Sequence, residues 1–226
     1  MFDTIILLTN AVVRPIFTAV LCAHNPRLVV LPAATLADLN SPGRDILARA
    51  RLIAYTTSVI VPANVLDQLG YGAYNFHPGP PAYPGWAPAH FAFYQRATEF
   101  GATVHVMTER VDEGPIVGVE MFSIPPDACV ASLEGMAYAR LCHLFWTLAK
   151  SLATRGEPLA QLPLRWSGTK NTRRDYAKIC KIPLEMPRDE LDRHVEMFGE
   201  PDFGIAPIVP PHGAELRARG CMIAGV

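Results

Sequence analysis

The sequence predicts an α/β fold, a mostly parallel sheet with helices on both faces, and three observations carry that prediction. Short apolar runs and helical patterns alternate from the N-terminus to about Phe76. The first run, Thr4 to Leu8, is continuously apolar, as in a strand covered on both sides. Beyond Ala97 strands replace helices: Ala102–Met107 and Ile116–Phe122 are expected to pair as antiparallel ribbons.

Taken in order, Thr4–Leu8 leads to a helix from Pro15 to about His24, because proline suits the first helical turn. Leu28–Leu31 is a second strand, Ser41–Ala50 a helix opened by Ser41 and Pro42, and Leu52–Tyr55 a third strand. Pro62–Leu69 is a helix closed by Gly70, followed by a strand over Ala73–Phe76. The aromatic spacing of Trp86–Ala97 fits a helix laid on the sheet, and Ala131–Ala153 repeats Leu133, Ala137, Leu141, Leu144 and Leu148 at helical intervals. From Pro163 onward the character changes. A polar and basic cluster containing Lys170, Arg173 and Arg174 precedes a short helix, Pro187–Phe198 forms a second, and Pro and Gly at 199–213 predict a wrapping loop with one short ribbon. The expected division is a catalytic domain over 1–155 and a C-terminal extension, 156–226, packed on it.

Composition narrows the function. Of 226 residues half are hydrophobic and 18% charged, with a formal charge of -1, so no basic surface points to nucleic acid. Ile5–Leu8 is too short to span a bilayer and has no basic leader before it, so a cytoplasmic protein with no membrane partner is expected. The five cysteines are scattered, without metal-ligand spacing, and read as free thiols. Thr9–Arg14 contains no glycine, which argues against a phosphate-cradling loop and against a nicotinamide cofactor.

Chemistry concentrates in Tyr74-Asn75-Phe76-His77-Pro78-Gly79-Pro80-Pro81. On a strand, Asn75 and His77 share one face while Phe76 enters the core on the other. Pro78 ends the strand, leaving an amide and an imidazole at its carboxyl end, where open α/β sheets bind ligands. Asp112 falls in the loop Val111-Asp112-Glu113-Gly114-Pro115 between the two later strands. Alone it reads as a turn residue. His105 reads as a hydrogen-bonded structural histidine, and His90, His143 and His194, on helical stretches, are assigned no chemistry.

Asn75-Phe76-His77-Pro78, Tyr83-Pro84-Gly85, Gly101-Ala102-Thr103-Val104-His105 and Asp112-Glu113-Gly114-Pro115-Ile116, in this order, resemble the folate-dependent formyltransferase family. The resemblance is strongest over 52–122. It implies a Rossmann-like core, 10-formyltetrahydrofolate as formyl donor, no metal, and catalytic roles for Asn75, His77 and Asp112. His77 in its charged form and the Asn75 amide would face the developing oxyanion, and Asp112 would raise the His77 pKa and organise proton transfer. The resemblance also implies a pterin slot between the Thr57–Val61 segment and the aspartate loop, with Ser58, Val59, Ile60, Arg110 and Val111 as donor-binding residues.

For the acceptor, family members acting on glycinamide ribonucleotide carry a glycine-rich loop where this chain has Thr9–Arg14. Those acting on initiator methionyl-tRNA carry a further C-terminal domain, for which 226 residues leave no room. Amino-sugar formyltransferases keep the core and add a short extension, to which Pro187–Phe198 and Pro201-Asp202-Phe203-Gly204 are similar. The resemblance therefore favours a nucleotide-linked amino sugar or other small amine, with Lys170, Arg173 and Arg174 placed for a diphosphate. A glycinamide ribonucleotide formyltransferase and a folate- or nucleotide-binding module without transfer are the alternatives. A homodimer is compatible with either.

Overall fold

The computed structural model describes residues 1–183 and 185–198. The chain runs β1 (Thr4–Leu8), α1 (Arg14–His24), β2 (Val29–Ala33), α2 (Leu36–Asn40), α3 (Arg44–Leu47), β3 (Ala50–Tyr55), α4 (Ala63–Leu66), β4 (Ala73–His77), α5 (Pro88–Tyr94), β5 (Glu99–Val106), β6 (Ile116–Ser123), α6 (Val130–Thr154), α7 (Arg173–Ile179) and α8 (Arg188–Phe198). The six strands form one sheet in the order β2-β1-β3-β4-β5-β6. β1 pairs in parallel with β2 and β3, and β3 with β4; β5 and β6 then add antiparallel.

Alternation along the strands splits the core in two. Ile5, Ile53, Tyr74 and Phe76 face α1 and α6, where Phe17 stacks on Phe145. Ile6, Leu52, Ala54 and Ala73 face the short helices α2 to α4. Helices therefore cover both faces, and the continuous burial of β1 and β3, mostly apolar but including Thr4 and Arg51, follows from that. Arg51, fully buried on β3, donates to the carbonyls of Tyr71, Leu152 and Glu157, so it ties the strand to the end of α6 and the segment beyond it.

Two helices differ from expectation. The helix expected over Ser41–Ala50 shrinks to the single turn of α3, because Ala50 already belongs to β3. Ahead of it lies α2, which the sequence reading left out; Thr35 and Asp38 form a capping box at its start. The helix expected at Pro62–Leu69 is likewise one turn, with Pro62 at its N-cap. The loop and ribbon expected at 199–213, together with Pro201–Gly204, lie outside the described residues.

His90 on α5 is buried against the Tyr176 ring of α7. Burial pulls its pKa from 6.5 down to about 4. As pH falls below 6.5 the unfolded chain binds a proton that the folded chain refuses until about 4, so stability must fall across that window. Urea denaturation at pH 7.5 and pH 5 is expected to show a loss of about 2 kcal/mol from this group, and His90→Leu should remove that part.

Candidate active site

The site is built on the face of β4 that carries Ala73, Asn75 and His77. Antiparallel pairing sets Asn75 directly opposite His105 and His77 opposite Thr103. The Thr103 hydroxyl donates to the Gly79 carbonyl at 2.8 Å and so holds the loop that follows β4.

The β5–β6 loop brings Asp112 onto these side chains. Asp112 sits at φ 51°, the left-handed region that a non-glycine residue occupies only when its surroundings hold it there. Its carboxylate supplies that hold. Oδ1 accepts from Asn75 Nδ2 at 3.3 Å and lies 3.1 Å from His105 Nε2; Oδ2 accepts the Gly85 N–H at 2.9 Å and lies 3.4 Å from His77 Nδ1. Only 3% of Asp112 is exposed. Burial pushes its carboxyl pKa up, but the His77 ring, the His105 ring and the Gly85 N–H outweigh this and hold it at about 2. Its stabilising contribution is thus complete above the ordinary 3.8 and is lost as pH falls toward 2. Asp112→Asn should flatten the stability profile in that window, as thermal denaturation between pH 5 and pH 2 would record.

His77 is 4% exposed, with Nε2 3.0 Å from the Tyr83 carbonyl. Burial lowers its pKa, against the Asp112 carboxylate and the Tyr83 carbonyl, which favour the charged ring. The expectation that Asp112 raises the His77 pKa is therefore corrected: the upward pull exists, and desolvation exceeds it.

A strap over residues 166–171 closes this side of the site. The Trp166 ring meets the His77 and His105 rings edge to face, at 5.7 and 5.1 Å, and its Nε1 donates to the Gly114 carbonyl. The strap is fastened to the post-β4 loop by Ser167 N–H to the Pro81 carbonyl, Asn171 N–H to Pro84 and Trp86 N–H to Asn171. Gly85, at φ 92°, allows that approach, and a Cβ on Gly168 would run into the Ala82 carbonyl. Gly168→Ala is expected to lift the strap and destabilise the fold by about 1–3 kcal/mol, with Trp166 fluorescence reporting the exposure.

On the other side, Asn75, His105 and Asp112 line a cleft whose walls are Thr57, Val59, Ile60 and Val61 on one flank and Met107, Thr108, Arg110 and Val111 on the other. Of the residues expected to bind the donor, Val59, Ile60, Arg110 and Val111 lie in these walls. Ser58 is exposed in the same loop and is not among the lining residues. Ile60 and Val111 are 62% and 37% exposed, an apolar pair left facing solvent at the cleft. Its free volume, about 60 Å³, is below the few hundred Å³ of an ordinary ligand site, so an entering ring must part these side chains. A more open groove of about 670 Å³ runs along Glu113–Pro115 and Gln161–Trp166, and none of Asn75, His77 or Asp112 lines it. Chemistry, not volume, singles out the smaller cleft.

Residues 50–138, which span β3 to the first turns of α6 and hold every residue of this cluster except Trp166, match the family model described as formyl transferase. That segment, less than half of the chain, is what resembles the formyl transferase family. The chain is 31% identical over 150 residues to the methionyl-tRNA formyltransferase of Parvibaculum lavamentivorans, a match covering 65% of this chain and 46% of that protein. Against the methionyl-tRNA formyltransferase of Listeria welshimeri the identity is 29% over 134 residues, 57% of this chain and 42% of that one. The chain thus spans about half the length of these curated relatives. Among solved structures, a sugar N-formyltransferase from Shewanella sp. FDAARGOS_354 superposes with a TM-score of 0.74 at 16% identity, covering 91% of this chain and 92% of that one. An N-formyltransferase from Helicobacter canadensis, in complex with folinic acid and dTDP-3-aminofucose, gives 0.64 at 15% identity over 88% and 81%. At such identities the likeness is one of fold.

Two residues of the cluster carry no sequence signal that joins them to Asn75, His77 and Asp112. His105 is hydrogen-bonded, as expected, and its partners are Asn75 and Asp112; alternation on β5 is visible in the sequence, but the partner across the sheet is not. Trp166 lies in a stretch without regular structure and gave no local signal. Of the basic cluster, Lys170 bonds Glu113 and the Val111 carbonyl, and Arg173 stacks on Trp86 with its guanidinium 4.4 Å from the ring centre.

Proposed function

We propose that the protein transfers a formyl group from 10-formyltetrahydrofolate to a primary amine, and that Asn75, His77 and Asp112 carry the reaction. The observation behind this reading is the convergence of those three side chains beside a cleft with exposed apolar walls. A flat pterin suits Val59, Ile60 and Val111, with backbone groups of the same loops reading its edge.

In the proposed mechanism the amine nitrogen attacks the formyl carbon and the carbonyl oxygen gains the charge. A neutral His77, with Nδ1–H on Asp112, takes the amine proton at Nε2. In the free site the Nε2 hydrogen donates to the Tyr83 carbonyl, so binding must break that contact and move the hydrogen to Nδ1 before Nε2 can accept. An Asn75 N–H donates to the oxyanion. Collapse then breaks the bond from carbon to the folate nitrogen, His77 returns the proton to that nitrogen, and tetrahydrofolate and the formamide leave. Asp112 keeps the imidazole oriented in both steps.

For the acceptor we propose a nucleotide-linked amino sugar. Structures that this chain matches over about nine-tenths of both chains include a sugar N-formyltransferase, and the net charge of -1 is poorly suited to transfer RNA. Arg174 and Lys170, on and before α7, would meet the diphosphate. The test offers 10-formyltetrahydrofolate with a panel of nucleotide-linked amino sugars and with initiator methionyl-tRNA. Formamide product on a sugar supports this acceptor; product on the transfer RNA alone replaces it; no product with any amine leaves a binding module in its place.

A further inference from the structure

Val106 and Asn75 together constrain His105 in a way that reaches the chemistry. His105 Nδ1 lies 2.9 Å from the Val106 carbonyl, an oxygen that only accepts, so Nδ1 carries a hydrogen whatever the charge of the ring. In the neutral ring Nε2 is therefore a lone pair. The Asn75 amide nitrogen stands 3.1 Å from it and 3.3 Å from Asp112 Oδ1, and one NH2 group has a hydrogen for each. That arrangement turns both amide hydrogens inward and leaves the amide oxygen for the cleft.

A second proton on the ring reverses this. Nε2–H then donates to Asp112 Oδ1 at 3.1 Å, and an NH2 beside it becomes a contact between two donors. Turning the carboxamide over removes the conflict, because the amide oxygen now accepts at the ring and the NH2 faces the cleft. We propose that His105 is a positioning residue whose proton decides which end of the Asn75 amide meets the ligand, and that only the protonated ring presents a donor to the formyl oxygen. This rests on the formyl-transfer reading above. The titratable groups that face His105 are Asp112 from the β5–β6 loop and His77 from β4; the strap contributes the uncharged Trp166 ring.

The test has two arms. In free protein labelled with [15N]histidine and [15N]asparagine, a pH titration by NMR should show Nδ1 of His105 holding its hydrogen throughout. The Asn75 NH2 resonances should shift with the midpoint of His105, and lose that dependence in His105→Leu. A lone pair on Nδ1, or NH2 resonances indifferent to His105, overturns the proposal. In the transfer assay His105→Leu should lower kcat about a hundredfold, the cost of a misplaced reacting group, with KM for both substrates little changed. An unchanged kcat also overturns it. Should the unmodified protein transfer no formyl group at all, the proposed function fails while the NMR arm still judges the His105 switch.

Discussion

Replacing His77 with alanine is expected to lower formyl transfer by about a hundredfold to ten-thousandfold, the range supplied by a positioned acid or base. Folate binding should survive, because His77 is buried and is not among the residues that line the cleft. Single-turnover kinetics with a calorimetric titration of a stable folate analogue separates the two effects. A variant that keeps its rate would remove His77 from the chemistry. One that loses the folate as well would show that the imidazole mainly holds the loops, through the Tyr83 carbonyl and the Trp166 ring.

The largest effect on stability is expected at Arg51. Its guanidinium donates at 3.1 Å to Tyr71, at 2.7 Å to Leu152 and at 3.2 Å to Glu157, with the Phe2 and Tyr74 rings packed against it. Arg51→Leu would fill much of the space but strip three carbonyls of a charged donor, each worth about 1–3 kcal/mol when left unsatisfied. A loss of about 3 kcal/mol or more is expected in urea denaturation, enough to consume much of the stability of an ordinary domain. Lys offers one compact ammonium where Arg offers a fork, so Arg51→Lys should recover only part of it.

Most strands were legible because burial on both faces favours apolar runs, and such runs are local: Thr4–Leu8 matches its strand, and Leu52–Tyr55 is the apolar part of Ala50–Tyr55, whose start the buried Arg51 conceals. The short helices were harder. Thr35-Leu36-Ala37-Asp38 carries a capping-box signal for α2, and Ser41 and Pro42, which look like a helix start, instead separate two short helices. In the candidate site, the pair on β4 was readable from alternation, and the aspartate from its loop and from family resemblance. His105 and Trp166 were not readable, for a shared reason. The register of β4 against β5 and the path of the strap are set by contacts between residues far apart in sequence, from His77 with Thr103 to His77 with Trp166, and no local pattern encodes them.

The central claim is that the cleft lined by Asn75 and Asp112 holds the folate with its formyl carbon against Asn75. A crystal structure with 5-formyltetrahydrofolate tests it most directly. The account predicts the pterin between the Thr57–Val61 and Met107–Val111 walls, Ile60 and Val111 parted around it, and the formyl group within hydrogen-bond reach of the Asn75 amide. A folate seated instead in the groove along Gln161–Trp166, or a formyl group turned away from β4, would contradict it.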